Sequence, residues 1–309
     1  MVNVLLSATA EDCALYADPL RKALAAAGVE ADVGTDFAPD AVDYIVYAPS
    51  GGLRDFTPFT RAKAVLSLWA GVERIVGNET LTMPLARMVD PGLTRGMVEW
   101  VTGHVLRHHL DTDRDVCRTD RTWAPRTPPL APERSVVVLG LGALGCAVAQ
   151  TLVSLGFDVT GWSRSARDVP GVRCLNGDAG LRAALSRAEI AVLLLPDTPA
   201  TTDILNADTL ALMPRGACIV NPGRGPLIDD DALLAALDSG QIGHATLDVF
   251  RTEPLPADHP YWAHPRVTVT PHIAAATRPE SAVTVIAENI RRGEAGAPFL
   301  HLVDRDAGY

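Results

Sequence analysis

The chain has 309 residues, of which 48% are hydrophobic and 21% charged, a balance typical of a protein with packed cores and roughly two domains. The formal net charge of −10 at pH 7 argues against a nucleic-acid partner, because contacts with phosphate groups need a basic surface. The five cysteines include no C-x-x-C pair, so they predict neither a disulfide framework nor a zinc site and suit a reducing compartment.

The start of the chain carries no pattern for export. Residues 1–6 lead quickly to Glu11 and Asp12, without a basic start, a long apolar run and a cleavage site, so we expect no signal peptide. No stretch approaches the ~18 uncharged apolar residues of a membrane span. The sequence therefore predicts a cytoplasmic protein without a membrane partner.

Short apolar runs alternate with helical stretches over roughly the first 90 residues, which predicts a parallel α/β fold. The predicted strands are residues 2–6, 29–33, 44–47 and 65–69. Between the first two, Asp18 and Pro19 match an N-cap and a first helical position, and Gly28 stands where a helix should end.

A second α/β series follows a helical pattern at 97–110 and a polar, proline-rich surface segment at 111–132. It contains helical patterns at 143–155 and 231–237 and strand patterns at 136–139, 158–162, 190–195, 217–220, 245–249 and 267–269. Two doubly wound parallel-sheet domains are therefore predicted. A last helical stretch, 281–292, follows the second sheet and is a candidate to pack back on the first domain.

A glycine-rich segment connects the first predicted strand of the second series to its helix. Gly140, Gly142 and Gly145 form G-x-G-x-x-G, with Ala143 and Leu144 at the expected start of the helix. This spacing permits a tight turn and close approach of backbone N–H groups to a pyrophosphate at the helix N-terminus. The flanking strand and helix favour a dinucleotide site over an ordinary glycine-rich turn.

The segment about 20 residues further on predicts which dinucleotide binds. An NAD-binding fold places an acidic residue there, on the ribose hydroxyls. This chain has Ser163, Arg164, Ser165 and Arg167 instead, which could bind a 2′-phosphate and would not repel it. We therefore expect NADP(H) to be preferred, with NAD(H) possible; the alternative is a solvated basic loop.

Three polar side chains, Arg224, Glu253 and His272, each follow a predicted strand late in the chain. Ligands bind at the carboxyl ends of strands in an open α/β sheet, so these side chains can converge there. Taken singly, each has an ordinary interpretation: a loop cation, a solvated turn residue and a hydrogen-bonded histidine.

Together, in this order behind a dinucleotide fingerprint, they resemble the D-isomer-specific 2-hydroxyacid dehydrogenase family. The resemblance runs from about Leu66 to the C-terminus and is closest to the glyoxylate/hydroxypyruvate reductase branch, through residues 67–72, 162–165 and 303–309. It implies a Rossmann dinucleotide-binding domain at 97–276 and a flavodoxin-like substrate-binding domain formed by 1–96 and 277–309.

The resemblance also implies a role for each site residue. Arg224 would hold the substrate carboxylate and carbonyl, His272 would be the acid/base, and Glu253 would be its carboxylate partner. The remaining positions would contact the cofactor or the substrate: Asp248 beside the nicotinamide amide, Leu195, Pro196 and Asn221 along the cofactor cleft, and Trp69, Ala70, Gly71 and Val72 on the substrate carboxylate.

The implied activity is reduction of a small 2-keto acid, glyoxylate or hydroxypyruvate, to the D-2-hydroxy acid by hydride transfer from NADPH, without a metal. A homodimer built through the cofactor domain is also implied. Trp69 and Asp197 depart from the family pattern and leave the substrate open to D-lactate, phosphoglycerate or a bulkier acid. A non-enzymatic, dinucleotide-sensing corepressor relative is the alternative from another class.

Overall fold

The computed structural model describes residues 1–117 and 119–308, and Tyr309 of the quoted C-terminal segment lies outside them. The chain folds into two compact units, one of Met1–Leu93 with the segment from Ala276 onward, the other Thr94–Ala275. These divisions lie three residues and one residue from the sequence-based boundaries. Within the described ranges, no helix is long and apolar enough to cross a bilayer, and no cluster of His, Cys, Asp or Glu could hold a metal ion.

The first unit contains one five-stranded parallel sheet. Its elements, in chain order, are β1 (Val2–Ser7), α1 (Ala10–Ala26), β2 (Ala31–Gly34), β3 (Tyr44–Tyr47), β4 (Ala64–Ser67) and β5 (Leu85–Ala86). The strand order β2-β1-β3-β4-β5 is that of flavodoxin, as predicted. Helix α2 (Pro91–Leu110) follows and carries the division between the two units.

Helix α1 begins earlier than predicted. The N-cap is Thr9, whose hydroxyl accepts a hydrogen bond from the backbone N–H of Asp12 at 3.1 Å, and Asp18 and Pro19 lie inside the helix. Proline removes one intrahelical donor, but Leu15, whose carbonyl loses that donor, is 53% exposed, so water can replace it. The prediction for the other end is correct, because Gly28 has a φ of 74° directly after the C-cap.

The second unit contains a seven-stranded parallel sheet. Its elements are α3 (Asp113–Val116), β6 (Ser135–Leu139), α4 (Ala143–Ser154), β7 (Asp158–Ser163), β8 (Arg173–Asn176), α5 (Gly177–Leu185), β9 (Ile190–Leu193), α6 (Ala207–Leu210), β10 (Ala217–Asn221), α7 (Asp230–Asp238), β11 (Ile242–Leu247) and β12 (Val267–Val269). The strand order is β12-β11-β10-β9-β6-β7-β8, the Rossmann order with one added edge strand. The order reverses between β6 and β9, and the carboxyl ends of the strands at such a reversal are the usual ligand-binding place in an open α/β sheet.

The last helix, α8 (Pro279–Glu294), belongs to the first unit, as the sequence suggested. Ile286 and Ile290 of α8 and Leu20 and Leu24 of α1 are buried in one cluster against the sheet. A separate apolar cluster, which includes Val72, covers the opposite face of the same sheet. The C-terminal segment returns to the sheet edge, where Leu302 bridges Ala86 in antiparallel register.

Candidate active site

The glycine-rich segment forms the turn between β6 and α4. A Cβ on Gly140, whose φ is 106°, would lie 2.4 Å from the carbonyl oxygen of Leu194, and one on Gly145 would lie 1.7 Å from the carbonyl oxygen of Gly140. Side chains are excluded at both positions. A Cβ on Gly142 would meet nothing within 4 Å, so the outer side of the turn is open.

The open side of this turn carries unused backbone donors. The N–H groups of Ala143, Leu144 and Gly145 make no hydrogen bond with residues 1–117 or 119–308, and Gly142 at the N-cap provides no side-chain cap. Free amides and the positive end of a helix dipole suit a pyrophosphate. These residues therefore fit a dinucleotide at this position.

The residues predicted to select the dinucleotide lie at the end of β7. The Ser163 hydroxyl donates to the carbonyl oxygen of Ser165 at 2.8 Å, and Arg164 and Arg167 are exposed. Burial raises the pKa of Cys146, in the first turns of α4, and the positive charge of Arg167 opposes that rise. The charge of Arg167 therefore acts on the first turn of α4.

Other predicted cofactor contacts lie at the carboxyl ends of β9 and β10. Leu195 is 8% exposed, and its backbone nitrogen would lie 3.1 Å from a Cβ on Gly140, so the segment of Leu195 and Pro196 lies against the glycine turn. The Asn221 side chain is buried, accepts from the N–H of Gly223 at 3.1 Å and donates to the carbonyl oxygen of Arg224 at 2.9 Å. Asn221 thus shapes the turn that carries Arg224.

Two of the predicted catalytic residues are directly paired. Nδ1 of His272 lies 2.8 Å from Oε2 of Glu253, whose other oxygen accepts from the N–H of Phe250 at 2.9 Å. Burial alone would raise the pKa of Glu253. Hydrogen bonds from His272 and Phe250 and the positive charges of His272 and Arg224 outweigh burial and hold that pKa below its ordinary value.

His272 has an unusual backbone conformation for a residue with a side chain, with a φ of 54°. Its N–H donates to the carbonyl oxygens of Asp248 and Thr270, at 2.9 and 3.1 Å. This turn presents the imidazole on the surface of the second unit, and the side chain is 51% exposed. Nε2 makes no hydrogen bond with the described residues, so it is the ring nitrogen available to a substrate.

Asp248 is fully buried, and both of its carboxylate oxygens contact the segment that carries His272. Oδ1 accepts from the Thr270 hydroxyl at 2.6 Å and the Ile273 N–H at 2.9 Å, while Oδ2 accepts from the Ala274 N–H at 2.8 Å. Sequence reasoning missed this role. A contact of Asp248 with a nicotinamide amide stays a prediction.

Arg224 lies at the turn after β10, where its guanidinium donates to the carbonyl oxygen of Gly223 at 2.7 Å. The next residue, Gly225, lies against the segment that carries Glu253. The positive charges of Arg224 and His272 both lower the pKa of Glu253, so the three predicted catalytic side chains interact electrostatically. Gly225 was not among the predicted site residues, although it directly follows Arg224 in the chain.

The predicted substrate loop lies at the carboxyl end of β4 in the first unit. The Ser67 hydroxyl accepts from the Trp69 N–H at 3.0 Å and so sets the turn. The N–H groups of Ala70, Gly71 and Val72 have no acceptor in the described part of the chain. The Trp69 ring is 37% exposed, and the guanidinium carbon of Arg74 lies 5.8 Å from its centroid.

Comparison with known proteins gives the same family. The model of the D-isomer specific 2-hydroxyacid dehydrogenase NAD-binding domain matches residues 101–274. A glyoxylate/hydroxypyruvate reductase A from Serratia proteamaculans is 42% identical over 257 residues, which cover 81% of this chain and 82% of that protein. A reductase of the same name from Yersinia enterocolitica is 40% identical over 255 residues, 80% of this chain and 82% of the relative.

Solved structures share the complete fold. A D-isomer specific 2-hydroxyacid dehydrogenase from Xanthobacter autotrophicus, in complex with NADPH and MES, matches with a TM-score of 0.89 and 38% identity, covering 100% of this chain and 99% of that one. An NADPH-dependent glyoxylate/hydroxypyruvate reductase from Sinorhizobium meliloti, in complex with NADP and sulfate, matches with a TM-score of 0.86 and 35% identity over 100% of both chains. The chain therefore belongs to the D-isomer specific 2-hydroxyacid dehydrogenase family, whose members are NAD(P)-dependent oxidoreductases.

Proposed function

We propose that this protein reduces glyoxylate or hydroxypyruvate to the corresponding 2-hydroxy acid with NADPH. The observation that carries the proposal is the pairing of His272 with Glu253 at 2.8 Å, next to Arg224 and at the carboxyl end of the Rossmann sheet. A carboxylate, an imidazole and a guanidinium supply a proton and the electrostatic stabilisation that carbonyl reduction needs.

The protein's own residues handle the proton and the charge. A bound reduced nicotinamide supplies the hydride for the substrate C2. Glu253 accepts from the N–H at Nδ1 of His272 and favours the doubly protonated imidazolium, whose second proton, on Nε2, is given to the developing alkoxide. Arg224 offers paired N–H donors that match a carboxylate and stabilise negative charge on the carbonyl oxygen. The free N–H groups of residues 70–72 in the first unit would bind the substrate carboxylate.

We further propose that NADPH is preferred to NADH through the loop after β7. Arg164 and Arg167 are exposed there, and no acidic residue occupies 163–167. The solved Xanthobacter and Sinorhizobium relatives were crystallised with NADPH and NADP, which supports the same choice here. The double substitution Ser163→Asp and Arg164→Ala should reverse the preference for NADPH over NADH, with a change of roughly 10- to 1000-fold in kcat/KM for the cofactor. Equal wild-type efficiency with both cofactors at low salt would contradict the preference.

The proposal includes a homodimer that forms through the second unit. Large apolar side chains are exposed on α2, α3 and the following segment: Leu110 by 39%, Val116 by 80%, Trp123 by 94% and Leu130 by 71%. Such a concentration on one segment is typical of a surface that another chain covers. Sedimentation should give twice the mass of one chain, and Trp123→Ser should shift the equilibrium toward monomer. A monomeric wild type would remove the dimer from the proposal.

The test of the activity is NADPH oxidation by the purified protein with glyoxylate, hydroxypyruvate, phosphohydroxypyruvate and pyruvate. We expect turnover with the first two, and His272→Ala should lower it by ~10²-fold or more with unchanged NADPH binding. Binding of NADPH without consumption of any keto acid would instead favour a dinucleotide-sensing protein. Assignment to the cytoplasm is part of the proposal and rests on the cysteine pattern.

A further inference from the structure

Arg87 of the first unit has no role in the chemistry described above. It follows β5 directly, and its side chain is half-buried. The Arg87 guanidinium has no hydrogen bond or ion pair with residues 1–117 or 119–308; its backbone N–H donates to the carbonyl oxygen of His301 at 3.0 Å. Burial lowers the pKa of this guanidinium. A half-buried cation without a counter-ion is unfavourable for stability, so it needs an explanation.

The backbone places Arg87 beside the free amides of the substrate loop. Strands β4 and β5 are parallel with Val65 opposite Leu85, so Arg87 stands at the carboxyl edge next to the turn that follows β4. The N–H of Met88 donates to the carbonyl oxygen of Trp69 at 3.0 Å and joins the two segments.

The strand register also places Arg87 on the face of the sheet that the substrate loop covers. Leu85 is buried in the same apolar cluster as Val72 and Ile75, so the loop that begins at Ala70 folds over the face to which Leu85 points. Alternate residues of a strand point to the same face, and Arg87 therefore lies one step beyond Leu85, at the carboxyl edge of that face. Three amide donors and an unpaired guanidinium are thus carried by adjacent backbone segments.

We propose that Arg87 is a further substrate-binding residue, which binds the carboxylate of the 2-keto acid together with the N–H groups of residues 70–72. A carboxylate has about four acceptor positions, so it can take amide donors and a guanidinium together. A positive charge on His301 would repel that of Arg87. Burial of His301, followed by the charge of Arg87, lowers the pKa of His301 and so favours its neutral form. The inference deepens the proposed function and relies on it for the identity of the substrate.

The test compares Arg87→Gln and Arg87→Lys with Lys22→Gln. Lys22 is an exposed residue of α1, so this control removes one positive charge from the same unit near the amino ends of the strands. Arg87→Gln should raise the KM for glyoxylate and hydroxypyruvate by ~10- to ~100-fold, the effect of losing one charged hydrogen bond, with a kcat within a few-fold of wild type. Arg87→Lys should lie between, and Lys22→Gln should match wild type.

Binding of oxalate, a two-carbon mimic of the substrate, to the NADPH-loaded protein separates this inference from the proposed activity. Calorimetry should show oxalate affinity falling by the same ~10- to ~100-fold in Arg87→Gln, while NADPH affinity and the melting temperature stay near those of Lys22→Gln. If wild type reduces keto acids but Arg87→Gln binds oxalate normally, the Arg87 assignment is wrong and the activity stands. If wild type has no reductase activity but oxalate binding depends on Arg87, the activity is wrong and the anion site stands. If Arg87→Gln does not fold, two other variants carry the test. A KM equal to that of wild type in Arg87→Ala would overturn the proposal. An oxalate affinity equal to that of wild type in Arg87→Lys, at both high and low salt, would also overturn it.

Discussion

A Cβ on Gly225 would lie 2.0 Å from the carbonyl carbon of Phe250, so the turn that carries Arg224 touches the backbone of the segment that carries Glu253. Gly225→Ala must push these segments apart. We expect keto-acid reduction to fall at least ~10-fold with little change in NADPH affinity, since misplaced catalytic groups lose rate steeply. Gly103→Ala is the matched control, because a Cβ there meets nothing within 4 Å. Equal kinetics in the two variants would show that the contact is not needed.

The pairing of Glu253 with His272 predicts a change in pH dependence. The lowered pKa of Glu253 keeps its carboxylate ionised in mildly acidic solution. The pairing with His272 is therefore fully present at a pH above the ordinary pKa of a glutamate, and it is lost as the pH falls through the lowered pKa. Glu253→Gln removes the charge that favours a protonated imidazole. The decline of keto-acid reduction with rising pH should therefore move to lower pH, and an unmoved profile would contradict the pairing.

Asp248 should act through the position of His272. Asp248→Asn replaces one acceptor oxygen with an NH₂ group, which would face either the Ala274 N–H or both the Thr270 hydroxyl and the Ile273 N–H, so the His272 segment must move. We expect a kcat at least ~10-fold lower, with the KM of NADPH within a few-fold, because misorientation of an acid affects turnover first. If the KM of NADPH rises alone, Asp248 acts on the cofactor instead.

A partly buried pair of histidines predicts that acid lowers the stability of the second unit. His108 of α2 and His244 of β11 have ring centroids 5.2 Å apart, and each ring nitrogen Nε2 lies 2.9 Å from a threonine hydroxyl, that of Thr246 or Thr268. Burial, followed by the charges of neighbouring cations, lowers the pKa of His108 to about 3 and that of His244 to about 4. The charged neighbours are Arg107, Asp113, His104 and His264.

The sign follows from proton binding. Between the ordinary histidine pKa of 6.5 and these lowered values, the unfolded chain binds more protons than the native one, so the free energy of unfolding falls as the pH drops through this window. The pair should remove on the order of a few kcal/mol between pH 7 and pH 4, at ~1.4 kcal/mol per unit of pKa. Denaturant unfolding of wild type and of a variant with Gln at both positions would measure this, and identical pH slopes would contradict it.

The helices and strands that could be predicted from the sequence are those with a regular pattern of apolar residues. Strands β6 and β7, helix α4 and the strand at Val267–Val269 carry strong apolar patterns and lie where expected. Strand β8 was missed because it is an edge strand with exposed ends and little alternation, and α5 after it was missed with it. The start of α1 was misplaced because Asp18 and Pro19 imitate a helix start.

The site was predictable in its residue types but not in its contacts. Arg224, Glu253 and His272 stand in recognisable motifs at strand ends. The contacts of Asp248 and the free guanidinium of Arg87 depend on the way in which distant segments meet, which no local pattern encodes.

At position 272 the left-handed backbone favours residue types other than the one that the chemistry requires. Glycine and asparagine adopt a φ of 54° more readily than histidine does, so the replacements that would relax this turn are the ones that cannot donate a proton near neutral pH. Selection for thermal stability alone would therefore favour inactive proteins here. Any attempt to stabilise this enzyme by choosing the residue that best suits each backbone angle should leave position 272 untouched.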